Sequence, residues 1–127
     1  MACDVEMTRE LKYLHFRAKG MRSRESILAL SKQIMDACIE HDARQVLVDV
    51  RELEGFLPVL DAYEIPAQEF PAMRRPEILR QAAVIDREGA EERGRFFETV
   101  AQNRGFNLRT FQDPDEAIEW LLRNRQP

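Results

Sequence analysis

Near the middle of the chain, a short apolar run ends in a group of charged residues and a glycine. The run covers 46–50, and Asp49, Arg51, Glu54 and Gly55 lie at or just beyond its end. An arginine beside a carboxylate can form forked, charge-assisted hydrogen bonds with an anionic ligand or an acidic loop. In an open α/β sheet, ligands are usually met at the carboxyl ends of the strands. The pattern therefore predicts a buried strand that ends in a binding edge.

A second acid and arginine, Asp86 and Arg87, follow the apolar residues of 81–86 in the same way. Because the carboxyl ends of parallel strands meet at one sheet edge, we expect them near Asp49 and Arg51. One interpretation is a salt-bridge network that only fixes loops, since surface ion pairs are common and contribute little. The other is an edge that grips an anionic ligand or a charged partner loop. In that case, Arg51→Ala would abolish binding and leave the fold unchanged.

The residue types that perform catalysis are present but scattered. The two histidines, His15 and His41, and the serines and threonines form no recognisable pairing of nucleophile and base. The five glycines are too isolated for a phosphate-binding loop. No histidine, cysteine or acid has metal-ligand spacing. We therefore expect no enzymatic activity, no metal and no cofactor.

The composition indicates an ordinary globular protein. A length of 127 residues predicts one domain spanning 1–127, and the net charge of −4 argues against general binding to nucleic acid or anionic membrane. No apolar run approaches the roughly 18 residues needed to cross a bilayer, and the first residues lack a secretory signal. The two cysteines, Cys3 and Cys38, indicate free thiols rather than a disulfide framework. We expect a cytoplasmic protein.

Hydrophobic spacing predicts the elements that would position these residues. Alternation in 5–7 and 13–18 favours a β-hairpin. Ser23 can cap a helix in which apolar residues recur at helical spacing to about His41. The run 46–50 is apolar on both faces, as in a strand that is covered on both sides.

The second half of the chain alternates strands and helices. Further strands are predicted at 81–86 and 108–111, with a helix over 91–103 between them. Asp113 can cap a last helix. The order is a β-hairpin followed by helices and strands in βαβαβα fashion, which predicts a mixed sheet with parallel neighbours beyond the hairpin.

The segment 56–73 is the least regular part of the chain. Pro66 and Pro71 would interrupt a long helix, so we expect a short helix after Pro58, a break and a second short piece. Its many apolar side chains are expected to be mostly core. The alternatives are a lid over a small apolar pocket or an exposed patch where another subunit docks.

Taken in order, several stretches resemble the SpoIIAA-like, or STAS-like, family of anti-sigma-factor antagonists and their uncharacterised bacterial relatives. They are Val48-Asp49-Val50-Arg51 with Gly55, and 82–86, 96–105 and 111–121. The resemblance implies an α/β fold with a mixed central sheet of four to five strands and about four helices packed mainly on one face. It also implies a non-enzymatic regulatory or scaffolding role through protein contacts.

The chain departs from that family in one respect. Phospho-regulated members present a serine or threonine after the strand, near the start of the next helix. Here residues 49–63 contain no serine, threonine or cysteine. Asp61 lies in this region, but a carboxylate carries less charge and fewer acceptor oxygens than a phosphate. The expectation is therefore the fold and a binding edge without the phosphorylation switch.

Together, these patterns predict a signalling module that binds another protein, or a second copy of itself as a homodimer, through residues 49–63. The alternative is a carrier or sensor of a small apolar or anionic ligand held between the sheet and 56–73. The residues expected to contact the partner or ligand are Asp49, Arg51, Glu54, Gly55, Asp61, Tyr63, Asp86 and Arg87.

Overall fold

The computed structural model describes residues 3–73 and 79–123 of the chain. The chain opens with two antiparallel strands, β1 (Asp4–Arg9) and β2 (Leu14–Met21). The predicted β-hairpin is confirmed. Both strands extend beyond the alternating apolar residues, because backbone pairing continues through polar positions as far as Asp4 and Lys19.

The rest of the chain alternates helices and strands around one five-stranded sheet. In chain order the elements are α1 (Arg24–His41), β3 (Gln45–Glu54), α2 (Val59–Glu64), a π-helical turn (Ile65–Glu69), α3 (Phe70–Ala72), β4 (Gln81–Ile85), α4 (Glu91–Asn103), β5 (Leu108–Phe111) and α5 (Pro114–Arg123). The strands lie in the order β1-β2-β3-β4-β5, and every pair after the first is parallel. The predicted mixed α/β sheet is confirmed.

Helix α1 begins at a reciprocal cap. The Ser23 hydroxyl accepts the backbone N–H of Ser26, and the Ser26 hydroxyl accepts the backbone N–H of Ser23. These bonds satisfy donors that the first helical turn would otherwise leave unpaired. The cap also fixes the two arginines that flank it, Arg22 and Arg24, at the carboxyl edge of the sheet.

Apolar residues are buried on both faces of the sheet. On one face, β2 and β3 pack against α1 through residues that include Val46, Val48 and Leu30. On the other face, Leu47 of β3 packs with Trp120 of α5. Successive strand side chains point to opposite faces, so the apolar run of β3 contributes to both layers. Among the described residues, no helix combines the length and apolar character needed to cross a membrane.

The expected break after α2 is wrong, because the helical backbone continues from residue 59 to residue 72. The π-helical turn carries Pro66 near its start, and the N–H of Phe70 reaches back five residues to the carbonyl of Ile65. A proline in an α-helix lacks a hydrogen-bond donor and clashes with the preceding turn. The π turn is wider than an α-helical turn and accommodates Pro66 without a break in the helical backbone. Such turns are frequent at functional sites.

Candidate functional site

Asp49 and Arg51 form a close ion pair at the predicted binding edge. Arg51 Nη2 lies 2.7 Å from Asp49 Oδ2, and Arg51 Nε donates to Oδ1 over 3.0 Å. The backbone N–H of Arg51 also donates to Oδ1. Asp49 is buried, whereas Arg51 is exposed. Much of the Arg51 guanidinium is therefore already engaged by its own chain.

The surroundings of Asp49 favour its ionised form. Burial raises the pKa of Asp49, but the hydrogen bonds from the side chain and backbone of Arg51 outweigh it, and the pKa lies below its usual value. The pKa of nearby His15 is also lowered, because burial disfavours its charged form, although the charge of Asp49 opposes the shift. The Asp49–Arg51 ion pair lines a small cleft of about 270 Å³ that also includes Arg17.

Asp86 has a different partner, Arg22. Arg22 Nη1 and Nη2 bind the two carboxylate oxygens at 2.9 and 3.1 Å, and Nη2 also donates to the carbonyl of Val50. The side chains of Arg22 and Asp86 are only 11% and 8% exposed. Sequence reasoning missed Arg22. The available signal was its position directly after β2, where a parallel strand reaches the same edge as β3 and β4.

The structure separates the two acids that were expected to share a network. In the β3–β4 register Asp49 lies opposite Ile85, so Asp86 is one position further along. One position reverses the face to which a side chain points. Asp49 therefore lies on the α5 side of the sheet, whereas Asp86 lies on the α1 side. Arg87 joins neither pair through its guanidinium, which donates to the carbonyl of Leu53 over 3.1 Å.

Glu54 and Gly55 form the exit from β3. The Glu54 carbonyl accepts a hydrogen bond from the backbone N–H of Arg22. Glu54 as a whole is exposed. Gly55 has φ +85°, a left-handed conformation that glycine adopts without strain. The turn at Gly55 releases the chain from the sheet and leads it into α2.

Asp61 is held by an arginine from the start of α1. Arg24 Nη1 lies 3.0 Å from Asp61 and 2.7 Å from Glu64, while Nη2 lies 2.9 Å from Glu69. These bonds raise the pKa of Arg24 above its usual value. We call this group the Arg24 clamp. It attaches the helical segment 59–72 to α1, and sequence reasoning missed it because its members are distant along the chain.

The outer side of α2 carries a cluster of exposed apolar side chains. Val59 is 73% exposed and Leu60 is 64% exposed, and Phe56 and Tyr63 are each exposed by about two fifths. We call these four residues the α2 patch. Its members lie within or directly before the helix that follows the predicted binding edge. Of the predicted site residues, Tyr63 belongs to this patch.

A cavity of about 810 Å³ lies beneath the same helix. It is bounded by the sheet, α1, α4 and the helical segment 59–72. Residues on its wall include Val48, Val84, Ala62, Phe97, Arg22 and Asp86. Met73 and Leu79 also line the cavity, and the chain between them lies outside the described residues. Small-ligand sites are usually concave and mostly apolar with a few polar groups, and this lining has that character.

Comparison with known proteins identifies the fold. No protein-family model and no curated protein matches the sequence. Ten chains among the solved structures do resemble it, and two of them show the range of proteins that share its fold. An uncharacterised DUF3478-family protein with a SpoIIAA-like fold from Shewanella loihica PV-4 is 20% identical, with a TM-score of 0.60 over 94% of this chain and 93% of that chain. This chain has a SpoIIAA-like fold.

The second structure is an anti-sigma factor antagonist from Mycobacterium paratuberculosis. It is 15% identical to this SpoIIAA-like chain, with a TM-score of 0.59 and 94% coverage of both chains. The resemblance inferred from the sequence is therefore confirmed at the level of the fold.

The SpoIIAA-like chain has no evident metal centre in its described part. No group of three or more histidine, cysteine or acidic side chains there is placed to hold a metal ion. Cys3 and Cys38 are free thiols, and burial raises the pKa of Cys38 to about 11. A thiol with such a pKa is protonated at neutral pH and is a poor nucleophile.

Proposed function

We propose that this SpoIIAA-like chain is a non-enzymatic regulatory or scaffolding module that binds another protein through the surface of residues 49–63. The observation that carries the proposal is the α2 patch. Its four side chains are apolar, exposed and close together in the sequence, within the region that the sequence pattern marks as a binding edge. Contiguous exposed apolar surface typically marks a site of protein contact. The structural likeness to an anti-sigma factor antagonist also supports a role in protein binding.

Binding, as proposed, does not depend on phosphorylation of this surface. Residues 49–63 contain no serine or threonine. Asp61, the acid in the corresponding region, is engaged by Arg24 and serves to hold α2 in place. We propose that the module works as a single domain in the cytoplasm, in keeping with its two unbridged cysteines. A second copy of the chain is the alternative partner.

The proposal is tested by capture of partners with a tagged chain from its source cell, comparing wild type with Leu60→Glu. Leu60 is exposed and is absent from the cavity wall, so the substitution places a charge on the docking surface without touching the core. We expect the specific partner to be lost. Ile39→Glu is the matched control, because Ile39 is also an exposed apolar helical residue but lies on α1. Equal recovery of the partner by wild type and Leu60→Glu would contradict the proposal.

A second candidate function, a carrier or sensor of a small apolar or anionic ligand, is favoured by the cavity. Its volume of about 810 Å³ falls within the range of small-molecule sites. The cavity lies between the sheet and the segment 56–73, where the sequence analysis located this alternative.

This candidate is tested with 8-anilinonaphthalene-1-sulfonate, a dye that is both apolar and anionic. Ala82→Leu adds volume to the cavity wall and should weaken dye binding several-fold. Ala29→Leu adds the same volume on the exposed side of α1 and should leave binding unchanged. Equal dye affinity for the two variants would exclude the cavity as the binding site.

A further inference from the structure

The apolar surface continues from α2 onto α4. Phe96 of α4 is exposed, and it lines the same cavity as Phe56 and Val59 of the α2 patch. Helices α2 and α4 contact each other directly. The exposed apolar side chains of the two helices therefore form one surface rather than separate residues.

Arginines border this surface on the α4 side. The Arg93 guanidinium carbon lies 4.1 Å from the centre of the Phe56 ring, and Arg104 Nη2 donates to the Tyr63 hydroxyl over 3.3 Å. Across the described ranges, neither Arg93 nor Arg104 pairs with a carboxylate. Both residues are exposed. Each guanidinium is therefore positioned by an aromatic residue of the surface and retains donors for a partner.

The acids of the same helical segment are engaged elsewhere. Asp61, Glu64 and Glu69 all bind Arg24 of α1. The segment 59–72 thus directs these carboxylates toward Arg24, whereas Arg93 of α4 and Arg104, directly after α4, contact Phe56 and Tyr63. Arg93 and Arg104 therefore place two positive charges beside the α2 patch, in a chain whose net charge is −4.

We propose that the partner docks on this surface with a protein segment that carries carboxylates beside apolar side chains. The inference rests on the proposed function and specifies the chemistry of the partner. Apolar side chains would cover the α2 patch, and carboxylates would form forked bonds with Arg93 and Arg104. An arginine already held over an aromatic ring loses less conformational freedom on binding, so its contribution to affinity is larger.

The test uses photo-crosslinking in the full chain. Leu60 is replaced by benzoylphenylalanine, the chain is irradiated in its source cell, and the crosslinked partner peptides are sequenced. Ile39 replaced in the same way gives the background. The crosslinking is repeated with Arg93→Gln and Arg104→Gln combined. Arg109→Gln is the matched control, because exposed Arg109 also lies over an aromatic ring, 5.6 Å from the centre of Phe111, but on β5.

We expect acid-rich peptides from position 60, a yield about tenfold lower in the double variant, and an unchanged yield with Arg109→Gln. If the yield survives the double variant, or the peptides lack acids, the acidic-partner inference is wrong while the proposed function stands. If crosslinkers at positions 60 and 39 label the same proteins equally, the acidic-partner inference and the proposed function are both wrong. Binding to phosphatidylglycerol vesicles without any crosslinked protein would also overturn both, because it would assign the surface to a membrane.

Discussion

At the scale of single residues, the Arg22–Asp86 pair is a largely buried ion pair that joins the carboxyl ends of β2 and β4. Asp86 is buried and the Arg22 side chain is only 11% exposed, so each charge relies on the other for compensation. Removing one partner of such a pair leaves an isolated buried charge. The pair also lines the cavity and contributes polar groups to its wall.

Arg22→Met should therefore destabilise the fold by about 3 kcal/mol, because Asp86 would remain buried without its counter-ion. Urea unfolding measured by circular dichroism gives the free energy of unfolding. Arg17→Met is the matched control, since Arg17 and its partner Glu6 are 61% and 80% exposed and lie 3.9 Å apart. That exposed pair should contribute less than about 1 kcal/mol. Similar losses in the two variants would show that burial does not determine the strength of the Arg22 pair.

His15 should make stability depend on pH. Its pKa is lowered in the folded chain, chiefly by burial, with smaller effects from Asp49, Arg17, Glu10 and Arg51. The unfolded chain therefore binds a proton more readily, and this contribution to stability is present above the unfolded pKa of about 6.5 and is lost as pH falls through the lower folded value. Among the described residues, the buried His15 Nε2 has no hydrogen-bond partner, which agrees with this direction.

We expect His15→Gln to flatten the decline in the free energy of unfolding between pH 7.5 and pH 5.5. His41→Gln, a substitution at the end of α1, is the control and should follow the wild-type decline. The two variants are compared by urea unfolding at each pH. A wild-type decline that persists in His15→Gln would assign the effect to another group.

At the scale of elements, the Arg24 clamp determines how α2 presents its outer face. Arg24→Gln should loosen the helical segment 59–72, because three carboxylates would lose one shared cation. Hydrogen exchange of amides in that segment should accelerate several-fold, with β3 unchanged. Lys32→Gln is the control, since Lys32 forms an exposed ion pair with Asp36 within one helix. Equal amide exchange rates for residues 59–72 in wild type and Arg24→Gln would show that apolar packing alone holds the segment.

The elements that the sequence predicted correctly are those with local signals. The cap at Ser23 and the alternation in β2 depend on neighbouring residues, so they could be recognised directly. The π-helical turn could not, because a proline within a helical pattern ordinarily indicates a break. The partners of Arg22 and Arg24 were also missed. They lie 64 and 37 to 45 positions away, and no spacing in the sequence shows which carboxylate an arginine reaches.

The division of Asp49 from Asp86 was predictable in principle. Both acids end apolar strands, and the sequence correctly brought those strands side by side. The face to which each acid points depends on the register between β3 and β4, since a shift of one residue exchanges the two faces. Without the register, proximity along the sheet edge was mistaken for contact.

At the scale of the whole molecule, the SpoIIAA-like fold provides two adjoining candidate sites at α2. The α2 patch faces outward, and the cavity lies inward beneath it. Phe56 and Val59 belong to both, so a ligand in the cavity and a protein on the patch would share part of a wall. Leu60 belongs to the patch and not to the cavity wall, so a substitution at Leu60 tests the patch alone.

The most direct measurement is native mass spectrometry of the chain isolated gently from its own source cell, as wild type and as Leu60→Glu. We expect a stoichiometric complex with another protein in the wild type, and free chain in the variant. A free wild-type chain carrying a small-molecule adduct would contradict protein binding as the central function and favour the cavity. A complex of the same mass and abundance in both proteins would show that the α2 patch is not the docking surface.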